Sequence, residues 1–147
     1  MLTRLAMIRS DRGTVLMMFP AAFLIMLILG AIVVDVGLSQ VRARELEAVA
    51  SSAANDALAA LDVGELRTSG ELRFDLDRAR TIVAESVAAG ALPDASVVTV
   101  DVIGAGGPDP QVEVTLTLTV EFIMAPALPG DLDSTTITRT RSVSILG

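Results

Sequence analysis

The chain has 147 residues, 52% of them hydrophobic, with eleven Arg, no Lys, eighteen acidic residues and a formal net charge of -7; this suffices for one small domain once any membrane segment is subtracted. It has no Cys, His, Trp or Tyr, which excludes disulfides and thiolate metal sites and removes the usual neutral-pH base and the commonest metal ligand, so triad, zinc and non-haem iron chemistries are not expected. Residues 1–13 hold three Arg against one Asp while residues 37–147 hold eight Arg against sixteen acids, and such an acidic, aromatic-poor body offers nucleic acid neither phosphate contacts nor a stacking platform.

From Thr14 to Val34 no residue is charged. These 21 residues make about 31 Å of helix, matching a hydrocarbon core of about 30 Å. Pro20 falls in the first two turns, where few intrahelical bonds are lost, and Gly30 is common in membrane helices. The apolar run is too long for a secretory signal core, and the nearest small-x-small site, "AVA" at residues 48–50, lies beyond it. The expectation is a retained membrane helix over 14–36. Arg4, Arg9 and Arg12 precede the span, while Arg42 and Arg44 follow it beside Glu45 and Glu47, so the basic tip (1–13) is expected in the cytoplasm and the rest outside.

Residues 34–61 show no turn signal except Gly37, and Leu46, Val49, Ala53, Ala57 and Ala60 recur at steps of three and four, so the helix is predicted to continue outside the membrane over 37–61. A stripe made mostly of alanine packs closely but buries little area per residue. Two readings are open: the stripe covers this chain's own domain, or it packs against another subunit. Asp35, the one acid at the outer edge of the span, is expected either at headgroup level or in an ion pair with a neighbouring subunit's basic residue.

Residues 62–147 are predicted to form a small extracytoplasmic α+β domain. "GELRTSGELRF" (64–74) reads as a break. "DLDRARTIVAESVAAG" (75–90) reads as a second, shorter helix, with Asp75 or Asp77 as N-cap, Ile82, Val83 and Val87 along one face and Gly90 as C-cap. Three strands follow. Residues 95–104 are valine-rich and lead into a turn at 105–110. Residues 112–122 alternate without a break, Val112, Val114, Leu116, Leu118, Val120 and Phe122 pointing one way and Glu113, Thr115, Thr117, Thr119 and Glu121 the other. Residues 135–146 place Ile137, Val143 and Ile145 on one face with Arg139 and Arg141, a mixture suited to an edge strand. "GDLD" (130–133) reads as a plain turn rather than a Ca²⁺ loop, having no bidentate Glu. The fold class expected is therefore α+β: a long N-terminal transmembrane helix continuing outside the membrane, a second short helix and an antiparallel sheet of about three strands, a pilin-like layout.

The Arg12-Gly13 pair, the apolar run closing on "VVDVG" (33–37) and "VRARELEAVASSAANDALAAL" (41–61) together resemble the N-terminal segment of TadE/TadG-like pilus assembly proteins of the Tad/Flp pilus system. The likeness covers about a third of the chain. It implies a bacterial minor pilin-like or accessory protein, anchored by its first helix and working through contacts with other pilus or envelope assembly proteins. It also implies a possible leader cleavage between Gly13 and Thr14. TadE-like members carry a Glu five residues into the cut chain; this chain has Met18 there and in that respect leans to TadG-like members, which keep the anchor uncut, so an uncut anchor is expected. Possible subunit-packing residues are Asp35, Leu46, Val49, Ala53 and Ala57. The alternative is a membrane-tethered envelope binding module unrelated to pili. Asp75 and Asp77 have no base beside them to make a hydrolase; no enzyme activity, cofactor, metal or small-molecule substrate is expected, and the partners are the lipid bilayer and other proteins.

Overall fold

The structure is a computed structural model that describes residues 11–70, 73–104, 109–127 and 133–145. Side chains of residues 11–17 and of Leu66 lie outside the described set. So do most of the predicted basic tip, residues 105–108 of the first turn and residues 128–132, which include most of the "GDLD" turn. The architecture is α+β: a long N-terminal apolar helix, shorter helices and a three-stranded antiparallel sheet.

Helix α1 runs from Asp11 to Ala57 with Pro20 inside it, and a 3₁₀ turn, Leu58–Ala60, follows. It is therefore helical over the whole predicted span, 14–36, and passes through Gly37 without interruption, the position of that glycine being open, with nothing within 4 Å of an added Cβ. Two compact units divide the chain: one comprises the N-terminal stretch to Gly37 with the segment Phe122–Asp133, the other Leu38–Glu121 with Ser134–Gly147.

In the second unit, the predicted break at 64–74 is corrected in part: helix α2, Val63–Ser69, occupies it. Its first turn is held by the Glu65 amide donating to Asp62 Oδ1 at 3.0 Å. The Thr68 and Ser69 hydroxyls each donate to the carbonyl four residues back, both at 2.9 Å. Local side-chain bonds thus offset the helix-weakening Gly64. Gly70, with φ of 74°, then ends the helix in the left-handed region that glycine enters without a Cβ clash.

Helix α3, Leu76–Ala89, starts on Asp75, whose carboxylate accepts from the amides of Asp77 (3.1 Å) and Arg78 (3.0 Å). Of the two candidates Asp75 is the cap, and Asp77 instead meets Arg80 at 3.3 Å on the surface. Gly90 is the C-cap, as expected, but in an extended conformation, with its amide donating to Val87 O at 3.1 Å.

Strands β1 (Ser96–Ile103), β2 (Gln111–Glu121) and β3 (Ser134–Ser144) pair in the order β1-β2-β3, antiparallel throughout. A bulge between Val97 and Thr99 leaves Val98 more than half exposed on the β1 edge, where it locally interrupts pairing. β2 buries Val112, Val114, Leu116, Leu118 and Val120 and turns its Glu and Thr residues outward. Across the outward face Thr115 pairs with Thr140, hydroxyl to hydroxyl at 2.9 Å, a cross-strand contact of the kind that stabilises sheets. β3 is an edge strand, with Arg139 and Arg141 half-buried on the face that also carries Ile137 and Val143. β2 ends at Glu121, so Phe122 lies beyond the paired register.

One core joins these elements. Leu46, Ala50, Ala53, Ala54, Ala57 and Ala60 gather with Ala79, Val83 and Val87 of α3 and the inward set of β2. Leu46, Leu116, Val83, Val112 and Val114 are its largest fully buried side chains, each contributing about 1.5–3 kcal/mol of burial. The alanines contribute less area each but no bulk, which lets neighbouring backbone come close.

Candidate functional site

No sequence signal marked the place where Asp35 finds its partners. Its side chain is 4% exposed. Three consecutive backbone amides donate to the carboxylate: Ile123 to Oδ1 at 2.9 Å, Met124 to both oxygens at 3.1 and 3.2 Å, and Ala125 to Oδ2 at 2.7 Å. Ala125–Ala127 form a 3₁₀ turn. A carboxylate offers about four acceptor positions, and three amides in sequence fill them as a short nest around the anion. Within this chain the carboxylate is thus engaged by amides 88 to 90 residues away in sequence. The anion's charge and the N–H groups it satisfies offset much of the cost of burying this acid.

Around Asp35 the helix is apolar and uncovered. Phe19 is 74% exposed, Met26 73% and Val33 70%, and the band runs without a charged residue from Met18 to Val34. An exposed apolar surface of this extent needs a non-aqueous neighbour. Among the described residues α1 is the one helix long and apolar enough to cross a membrane. Gly13 and Thr14 lie within this helix.

The remaining predicted positions lie in the second unit. Leu46, Ala53 and Ala57 are fully buried in this chain's own core, and Val49 is half-buried against it. An added Cβ on Gly90 would come 3.6 Å from Val49 Cγ1 and 3.2 Å from Val87 O, so that glycine marks a close approach between α1 and α3. The stripe thus covers the chain's own domain, the first of the two readings, which leaves Leu46, Ala53 and Ala57 no exposed surface for a neighbour.

Two polar arrangements escaped the sequence. Glu47 of α1 forms an ion pair with Arg141 of β3, so one of the two inward-leaning arginines has an acidic partner on the helix. Asp109 accepts from Ser144 Oγ at 2.7 Å and from Gln111 Nε2 at 3.0 Å, tying the start of β2 to the end of β3. Those hydrogen bonds, Ser144 first, hold the Asp109 carboxyl below the usual carboxylate range. An open groove of about 660 Å³, lined by Leu38, Arg42, Asp94, Thr119 and Glu121 among others, runs along the domain. Among the described residues no group of three or more acidic side chains is placed to hold a metal ion. No family model, curated protein or solved structure matches this chain.

Proposed function

We propose that this chain is a single-pass membrane protein of a bacterial envelope, a minor pilin-like or accessory component in assembly of a Tad/Flp-type pilus that works through protein contacts. The observation that carries the reading is the composition of α1 itself: one unbroken helix with a bare apolar first half and a second half whose small-residue stripe is built into an α+β domain. A bare apolar helix of this length is suited to lipid. The excess of Arg before the span orients the N-terminus to the cytoplasm and the sheet to the outside. The outer unit then acts as a presented surface, and its threonine-lined sheet face and edge strands are what partner proteins would meet. The resemblance of residues 12–61 to TadE/TadG-like proteins supplies the pilus assignment.

Deletion of the gene in the source bacterium, with pili counted by electron microscopy, tests the pilus role. Loss or sharp reduction of pili, restored by the intact gene, is expected. Unchanged pili would overturn the assignment and leave the tethered binding module. N-terminal sequencing of the membrane-extracted protein decides processing: a start at Met1 is expected, and a start at Thr14 would establish the cut after Gly13.

A further inference from the structure

We propose, on the reading of residues 14–36 as a membrane span, that the loop Phe122–Ala127 is a second membrane contact, an apolar patch seated in the headgroup layer at the outer end of that span. Its occupant is the lipid surface.

The position of the loop follows from Asp35. That residue comes directly after 21 uncharged positions, or about 31 Å of helix against about 30 Å of hydrocarbon, which sets it at the membrane boundary. The amides of Ile123, Met124 and Ala125 bond to its carboxylate at 2.7 to 3.2 Å, so the loop is fixed at the same depth.

Composition suits that depth. "FIMAPA" (122–127) contains no charged or hydrogen-bonding side chain. Ile123 is 63% and Met124 42% exposed. Val34 and Val36, which flank Asp35 on the helix, are exposed as well. The patch is thus continuous with the lipid-facing band of α1, which is what selects lipid over a soluble protein as its occupant.

The loop's amides add to the case. Non-helical chain enters a membrane only when its polar groups are satisfied internally. Phe122 N–H donates to Asp133 O at 2.8 Å, the next three amides go to Asp35, Pro126 has no N–H, and Ala127 N–H donates to Met124 O at 3.0 Å. Every amide from 122 to 127 therefore has a partner within the chain. Asp35 acts as the positioning residue that allows an irregular segment to leave bulk water.

The chain has no native cysteine, so single labels can be placed cleanly. The full-length protein, reconstituted in phosphatidylcholine vesicles, would carry an environment-sensitive fluorophore at Ile123→Cys, at Phe23→Cys within the span, or at Thr136→Cys on β3. Quenching is read with iodide and with lipids bearing nitroxides at shallow or deep positions. The Phe23 label is expected to respond to deep nitroxides and the Thr136 label to iodide alone. The Ile123 label should show blue-shifted emission and several-fold more shallow-nitroxide quenching than Thr136, and adding Asp35→Asn should move it toward Thr136. An Ile123 label that behaves like Thr136 while Phe23 stays lipid-quenched would overturn the loop contact and leave the span intact. Iodide access at Phe23 would remove the span, and the loop contact with it. An Ile123 label shielded from both quenchers would show a second protein copy on the patch and would also overturn the proposal.

Discussion

The two halves of α1 solve the same problem in opposite ways. Between Met18 and Val34 the helix carries large apolar side chains on all sides and leaves nearly all of them exposed; between Ala43 and Ala57 it carries mostly alanine on one stripe and buries it, only Val49 staying half-buried. The first half is compatible with its surroundings only if they are apolar, so its size and shape complementarity hardly matter. The second half packs against a finite sheet, where shape matters at the level of a methyl group. Equivalent substitutions in the two halves should therefore have unequal effects on unfolding of the sheet unit, followed by denaturant titration of the full-length protein in detergent micelles.

The largest contrast is expected for truncations. Leu46→Ala should destabilise that unit by about 3–5 kcal/mol, the range for a fully buried leucine. Phe23→Ala, in the bare half, should leave its midpoint within about 0.5 kcal/mol of wild type. Equal effects would break the comparison.

Enlargements come next. Ala53→Leu forces a longer side chain into a fully buried site and should cost about 1–3 kcal/mol; Ala22→Leu, on the exposed part of the helix, should cost nothing measurable. A smaller effect, confined to the second unit, is expected for Asp75→Ala, which removes the acceptor of two α3 amides and should lower stability by about 1 kcal/mol. The same variant with unchanged assembly would also dispose of any catalytic role for that carboxylate.

The smallest effect is pH-dependent. Asp109 is held below the ordinary carboxylate range by Ser144 and Gln111, so its folded form binds a proton less readily than its unfolded form. Its contribution to stability is present in full above the ordinary aspartate value, near pH 4, and fades as the pH falls through the lowered folded value. Asp109→Asn should therefore be less stable than wild type at pH 7, and the two should converge in acid. A gap that widens on acidification would reverse the assigned sign.

Patterns with a short period were legible from the chain alone. The alternation from Val112 to Val120 needed no partner to declare its buried face, because successive strand residues point to opposite sides whatever covers them. An aspartate cap at Asp75 or Asp77 was legible for a similar reason, since a cap's amide donors lie two and three residues on, and the structure selects Asp75. Helix α2 was missed because Gly64 and Gly70 outweighed hydroxyl back-bonding that involves only a few residues. The Glu47–Arg141 pair was invisible because its members are nearly a hundred positions apart, on elements whose register the sequence does not state.

The sequence by itself determined the α+β class, the long apolar helix and the inward face of β2, all of which follow from side-chain chemistry repeated at helical or strand spacing, and it narrowed the cap of α3 to two aspartates. Tertiary structure alone decided where the alanine stripe is spent and what Asp35 does. A stripe records that something must cover it without recording what. A buried carboxylate must find donors, and only the return of the chain after β2 brings the amides of Ile123, Met124 and Ala125 within hydrogen-bonding distance.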